Sequence, residues 1–207
     1  GGIVKVNNFT IFLDSGLIGD AVKFEVTKVK KSYGMGKTLD IIKPSIHRIH
    51  PKCNVSDKCG GCQFQSFDYK AQLEWKKAKV ENDLAKIAGL EGIKVNDTIG
   101  MDSPYRYRNN VQIPVAISKG KPLIGFYERG SYKITDIDRC ILQEETGDKI
   151  IRILKQFIGN YNITVNRHLG IRTNKDNEVM VILVTQSRQL PHSDDLINMI
   201  IKKCPNV

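Results

Sequence analysis

Cys53-Asn54-Val55-Ser56-Asp57-Lys58-Cys59-Gly60-Gly61-Cys62 is the stretch that decides how this chain reads, because Cys140 answers it far downstream. Four of the five cysteines fall into the pattern C-x5-C-x2-C-x77-C, on a chain of 207 residues with net charge +10. Thiols so closely spaced on a lysine-rich chain are better suited to metal ligation than to disulfide pairing. Gly60 and Gly61 fit a loop wrapped around a cluster, which asks for positive φ values and close backbone approach. Zinc accepts four thiolates, and His47 and His50 just upstream offer a substitute for one of them. An iron–sulfur cluster also takes four, commonly three from one loop and one from a distant segment. The three-plus-one layout favours the cluster and leaves zinc as the alternative. With every iron capped by protein, the role is structural, and radical chemistry at an open iron is disfavoured. Cys204 lies outside the pattern and reads as a buried or incidental thiol.

The length allows one large domain or two small ones with a real core, and the composition is that of an ordinary globular protein. No stretch is long and apolar enough to span a bilayer, and the first residues lack a secretion signal. A cytoplasmic protein with no membrane partner is therefore expected. The positive charge is uneven: residues 1–52 carry nine Lys/Arg against four Asp/Glu, whereas 66–97 balance six against six. Localised excess of this kind points to a polyanion, with nucleic acid first among the candidates.

Outward from the cysteines, residues 1–47 read as a small β-barrel. Strands are expected at 2–6, 9–13, 21–29 and 39–42, with Tyr33, Gly34 and Gly36 interrupting before the last. Short strands with glycine turns suit an OB-like barrel, a fold that often presents a basic, aromatic face to oligonucleotides. Pro44 and Pro51 bracket a linker into the cysteine loop, 48–65. A helix is predicted from about Phe67 to Ala88, with Ser66 as N-cap and Tyr69, Leu73, Val80, Leu84 and Ile87 on its apolar stripe. Trp75 lies off that stripe. Residues 98–207 read as an α+β unit: a meander over 111–117, 123–127 and 132–137, a helix over 144–158, a hairpin of 169–173 and 178–185, and a last helix from Ser193 to about Lys203.

At these residues the chain resembles the iron–sulfur-containing RNA (uracil-5-)-methyltransferases of bacteria. Residues 1–47 are similar to their RNA-binding TRAM domain, an OB-like barrel. Pro44-Ser45, Arg48, Pro51-Lys52-Cys53 and Cys59-Gly60-Gly61-Cys62-Gln63-Phe64-Gln65 match their cluster loop. Tyr105-Arg106-Tyr107-Arg108-Asn109-Asn110 and Gly125-Phe126-Tyr127, Ser131, Ile134-Thr135-Asp136 and Cys140 match the central domain. The resemblance implies a 4Fe-4S cluster on Cys53, Cys59, Cys62 and Cys140, of a kind that oxygen can strip. It implies RNA as partner, ribosomal rather than transfer RNA, and 5-methyluridine in 23S rRNA as product. In that family S-adenosylmethionine binds a C-terminal domain, where a cysteine attacks carbon 6 of uracil and a base removes the proton from carbon 5. No glycine-rich methyl-donor signature, nucleophile or base of that kind occurs here. The expectation is an N-terminal portion, inactive alone, whose segment 66–97 packs on a catalytic domain in cis.

For RNA contact the sequence offers Lys28, Lys30, Lys31 and Tyr33 as the densest basic–aromatic grouping of the barrel. Arg106 and Arg108 alternate on the approach to the meander, which would aim both at one face. With Arg129 and Lys133 they are expected to grip phosphates or stack on a splayed base. Pairing of the arginines with Asp136 or Asp138 is the structural alternative.

Overall fold

The computed structural model describes residues 1–163 and 167–207, which divide into two compact units. Residues 1–51 and 64–99 form the first, and residues 52–63 and 100–207 the second. The cysteine loop thus groups with the C-terminal residues, and the helical segment of 66–97 groups with the N-terminal sheet. Among the described residues no helix is long and apolar enough to cross a membrane.

In the first unit, β1 (Gly2–Val6), β2 (Phe9–Leu13), β3 (Ala21–Val29) and β4 (Tyr33–Lys43) form one sheet in the order β1-β2-β4-β3. Asn7 and Asn8, both at positive φ, make the tight turn that pairs β1 with β2. The sequence reading closes these strands into a barrel; the described residues form a four-stranded sheet with β1 and β3 at its edges. It also predicts a break at Gly34 and Gly36, yet β4 runs unbroken through both. The reason is packing. A Cβ on Gly36 would lie 2.9 Å from both the Glu25 carbonyl oxygen and Leu13 Cδ2. These glycines admit a neighbour rather than end a strand. β3 carries register shifts and lies at an edge, so Val26 and Val29 are exposed although the alternation places them inward.

The helix α1 spans Tyr69–Lys86. Its N-cap is Asp68, not Ser66: the Asp68 carboxylate accepts from Ala71 N at 3.0 Å. Tyr69, Leu73 and Leu84 are half-buried, while Val80 and Ile87 are exposed. Trp75, off the stripe, meets Phe64 at 5.4 Å between ring centroids, and Phe64 in turn meets the buried Phe67.

The second unit holds β5 (Asn110–Ser118), β6 (Lys121–Tyr127), β7 (Ile134–Asp136), β8 (Arg167–Thr173) and β9 (Val179–Val184) in one antiparallel sheet, β7-β6-β5-β8-β9. Lys119 and Gly120, both at positive φ, give β5 and β6 a two-residue hairpin. The helices are α2 (Glu145–Tyr161) and α3 (Ser193–Lys203), so the predicted order of meander, helix, hairpin and helix is present. From α2, Ile150, Ile151, Leu154, Phe157 and Ile158 enter a core with Ile113, Ile124, Leu169, Leu196 and Cys204. Each such side chain contributes about 1.5–3 kcal/mol by leaving water. Val55 and Cys140 pack on the margin of this core, which seats both ends of the cysteine pattern on one hydrophobic body.

One buried ion pair fixes the linker within the first unit. Arg48 grips Asp20 through both ends of its guanidinium, and Asp20 also accepts from Ser45 N at 2.9 Å and Leu17 N at 2.7 Å. Burial alone would raise the Asp20 pKa, but the Arg48 bond, the two amides and the Arg48 charge outweigh it and lower it to about 2. Because the folded value lies below the unfolded one, the stabilisation is present above about pH 4 and is lost as pH falls toward 2; it amounts to about 2–3 kcal/mol. Asp20→Asn is expected to destabilise the protein by about 3 kcal/mol at neutral pH. The gap between wild type and variant should narrow to about half by pH 3 and close only near pH 2 in urea titrations. A gap independent of pH would contradict this reading.

Candidate functional site

The cysteine loop is tied to the second unit by its backbone. Gly60 N donates to the Tyr127 carbonyl at 2.8 Å, and Cys59 bridges to Glu128. A Cβ on Gly60 would stand 2.7 Å from the Tyr127 oxygen, so close approach accounts for this glycine. Positive φ, also expected of Gly60 and Gly61, occurs at neither. Arg108 Nη2 donates to the Gly61 carbonyl at 3.1 Å and Arg129 Nη2 to the Cys62 carbonyl at 2.8 Å. At the start of the loop, Lys52 Nζ lies 4.6 Å over the Tyr105 ring.

The fourth cysteine sits on a turn held by one carboxylate. Asp148, on the first turns of α2 and buried, accepts from Cys140 N and from Gln143 Nε2, each at 2.7 Å, through Oδ1. Its Oδ2 accepts from Arg106 Nη1 at 2.7 Å, and the same nitrogen reaches the carbonyls of Cys140 and Gln143. Arg106 has a φ of 58° and no strand pairing, so the predicted alternation with Arg108 does not exist here. Its carboxylate partner is Asp148, not Asp136 or Asp138, both of which bind Lys155 at 2.8 Å. Sequence reasoning misses Asp148 and Gln143. The available signal is an acidic residue on the otherwise apolar buried stripe of α2.

None of the five cysteines forms a disulfide. Burial pushes the Cys59 thiol up; the Gly61 amide, donating to its sulfur at 3.4 Å, opposes this, and the charges of Cys62, Cys140 and Cys53 add to the rise. Burial likewise raises Cys140, against amide donation from Leu142 and Gln143. The four thiols are therefore near enough to feel one another's charge. Backbone amides stand ready to stabilise sulfur anions at two of them, which fits thiolate ligation of a metal centre. Among the described residues no group of three or more His, Cys, Asp or Glu side chains is arranged to hold a metal ion, His47 and His50 included. His47 instead meets Phe67 edge-on. Cys204 is buried in the core.

Of the cations expected to meet RNA, Arg106, Arg108 and Arg129 hold backbone carbonyls as described. Lys133 pairs with Glu128 at 3.0 Å and stays largely exposed. Lys28, Lys30 and Lys31 are exposed. The strand register sets Ile3 and Met35 beside Phe12, Lys5 and Tyr33 beside Thr10, and Lys28 beside Met35, all on one face of the first sheet. Phe12 and Tyr33 are 43% and 38% exposed and meet edge-on at 5.6 Å. This basic, aromatic face includes Phe12, which the sequence pattern registers only as a strand residue.

The chain is similar over 100% of its length, at 42% identity, to a protein of Clostridium tetani named as an uncharacterized RNA methyltransferase. A Clostridium acetobutylicum protein of the same designation is 40% identical over 96% of the chain, and one from Staphylococcus aureus 36% over 100%. No family model matches. The chain is thus homologous along its length to proteins named RNA methyltransferases. It spans about half the length of these curated relatives, 46–48%.

Three substitutions probe the anchoring. Gly60→Ala is expected to destabilise the second unit by about 1–3 kcal/mol and to speed thiol labelling of Cys59, because the clashing atom is backbone. Gly61→Ala, whose Cβ would meet Cys59 Sγ at 3.4 Å, should do neither. Asp148→Ala leaves the Arg106 cation and the Cys140 amide without their acceptor, so chemical denaturation should report a loss of about 3–5 kcal/mol.

Proposed function

We propose that this chain is the RNA-binding and cluster-binding portion of an S-adenosylmethionine-dependent RNA methyltransferase that forms 5-methyluridine in 23S rRNA. Homology along the whole chain to proteins named RNA methyltransferases carries the reading. The relatives' greater length supports a methyl-donor and catalytic region elsewhere in the polypeptide. The basic, aromatic face of the first sheet supports contact with flexible RNA, phosphates meeting Lys28, Lys30 and Lys31 and bases stacking on Tyr33. Arg106, Arg108, Arg129 and Lys133 line the cysteine side of the second unit and add positive potential there.

In this reading Cys53, Cys59, Cys62 and Cys140 hold a 4Fe-4S cluster. The cluster supplies no open iron when all four thiolates ligate it, and it serves as a cross-link. Gly61 N at Cys59, and Leu142 N and Gln143 N at Cys140, stabilise the thiolates. Gly60 and Asp148 position the two ligand-bearing segments on the same core. The cysteine loop and the Cys140 turn are held by different hydrogen bonds, so a bond through the centre joins two segments that the protein otherwise anchors separately.

Anaerobic purification should give a brown protein with iron and sulfide near about four each per chain. Cys62→Ser and Cys140→Ser should each lower both. Stoichiometric zinc without sulfide would replace the cluster by the zinc alternative. For the activity, the longer polypeptide containing this chain should place labelled methyl groups on 23S rRNA as 5-methyluridine, resolved by nucleoside mass spectrometry. Label at another base, or only in transfer RNA, would overturn the assignment.

A further inference from the structure

The outer face of β5 carries a cleft that none of the foregoing uses. It measures about 370 Å³ and is lined by Tyr107, Arg108, Asn109, Asn110, Gln112 and Phe126, with Val111 at its floor. Asn110 and Gln112 alternate with the buried Val111 and Ile113, so both amides face outward on one side of the strand. Among the described residues neither side-chain amide has a hydrogen-bond partner, and both keep full donor and acceptor capacity. The strand across from them makes room: Gln112 pairs with Gly170 and Asn110 with Arg172. Arg172 is exposed and has no ion pair or side-chain hydrogen bond among the described residues, whereas Arg106, Arg108 and Arg129 hold backbone carbonyls.

The geometry points to a base-reading subsite for single-stranded RNA in this cleft, an inference that rests on the RNA-binding role proposed above. Tyr107, 49% exposed, supplies the platform for an unstacked base, and Phe126, packed on the core, closes the cleft behind it. Asn110 and Gln112 meet its edge, each offering one acceptor and two donors, and Arg172 meets an adjoining phosphate. The one cation in the lining, Arg108, donates to the Gly61 carbonyl, so base discrimination falls to the amides. Phosphate contacts carry affinity without sequence information. A second cleft of about 530 Å³ shares Phe126 and contains Tyr127 and Tyr132, the latter 92% exposed, so the strand has an aromatic surface to continue along.

The test is fluorescence anisotropy of the whole chain with short homopolymers of A, C and U. Wild type should prefer one of them by about fivefold or more, the span of one good amide–base pairing. Asn110→Ala combined with Gln112→Ala should cut that preference to less than about twofold while mean affinity changes little. Gln112→Glu keeps the side-chain size and should shift preference toward C, whose exocyclic amine donates to a carboxylate; it carries the test if the double variant fails to fold. Arg172→Ala should weaken all three about equally and flatten the salt dependence. Equal binding of all three by wild type, or a preference that survives the double variant and Gln112→Glu, overturns the subsite and leaves RNA binding intact. No binding of any RNA by wild type defeats both readings.

Discussion

The carboxylate of Asp148 lies inside the second unit with three donors around it, and the placing of the fourth cysteine depends on them. A buried carboxylate is tolerated only where its charge and lone pairs are matched. Here the match comes from Arg106, Gln143 and the backbone of Cys140. Because Asp148 belongs to α2 and Arg106 to the approach into β5, this cluster ties helix, sheet and cysteine turn together. The positive φ of Arg106 is sustained by the same bonds, since its guanidinium also holds two carbonyls of the turn.

That arrangement explains why charge counts alone say little about which cations direct their donors outward. Three arginines that a sequence reader assigns to phosphate are engaged with carbonyls at Cys62, Gly61 and the Cys140 turn. Guanidinium suits that work, because its planar fork reaches several acceptors while staying charged. Their positive field remains, whereas their hydrogen bonds are directed inward. Exposed lysines on β3, and Arg172 on β8, remain as the groups with donors to offer.

Where the pattern is periodic and local, the sequence is legible. The meander, the β8–β9 hairpin and both helices of the second unit follow from apolar alternation, turn residues and helical spacing. Long-range packing is not so legible. Gly34 and Gly36 look like breakers because sequence cannot reveal the neighbours that fill the space of a Cβ, Phe9 and Ile11 at Gly34 and the Glu25 carbonyl and a Leu13 methyl at Gly36. Asp68 outcompetes Ser66 as N-cap, a shift of two residues at the boundary. The cysteine spacing is visible at once, yet its supports at Asp148, Gln143 and Tyr127 are separated from it in sequence and carry no spacing signal. The amides of Asn110 and Gln112 likewise gain meaning only when β5 is set against a glycine on β8.

The thiols themselves show how a site can be prepared without being complete. Burial and mutual repulsion disfavour ionising Cys59 and Cys140, so four anions would not gather there unaided. A cationic centre reverses that balance, because ligation displaces the protons and turns repulsion among sulfurs into shared attraction. A single zinc ion would have to draw the sulfurs to about 3.8 Å from one another, given Zn–S bonds of about 2.3 Å in a tetrahedron. A multi-iron centre spans a wider gap. The proposed 4Fe-4S centre and its zinc alternative therefore differ in the spacing they ask of the four sulfurs. The loop and turn that carry them are held by arginine–carbonyl and carboxylate–amide bonds that involve no sulfur side chain, so the anchoring of both segments is independent of thiol chemistry.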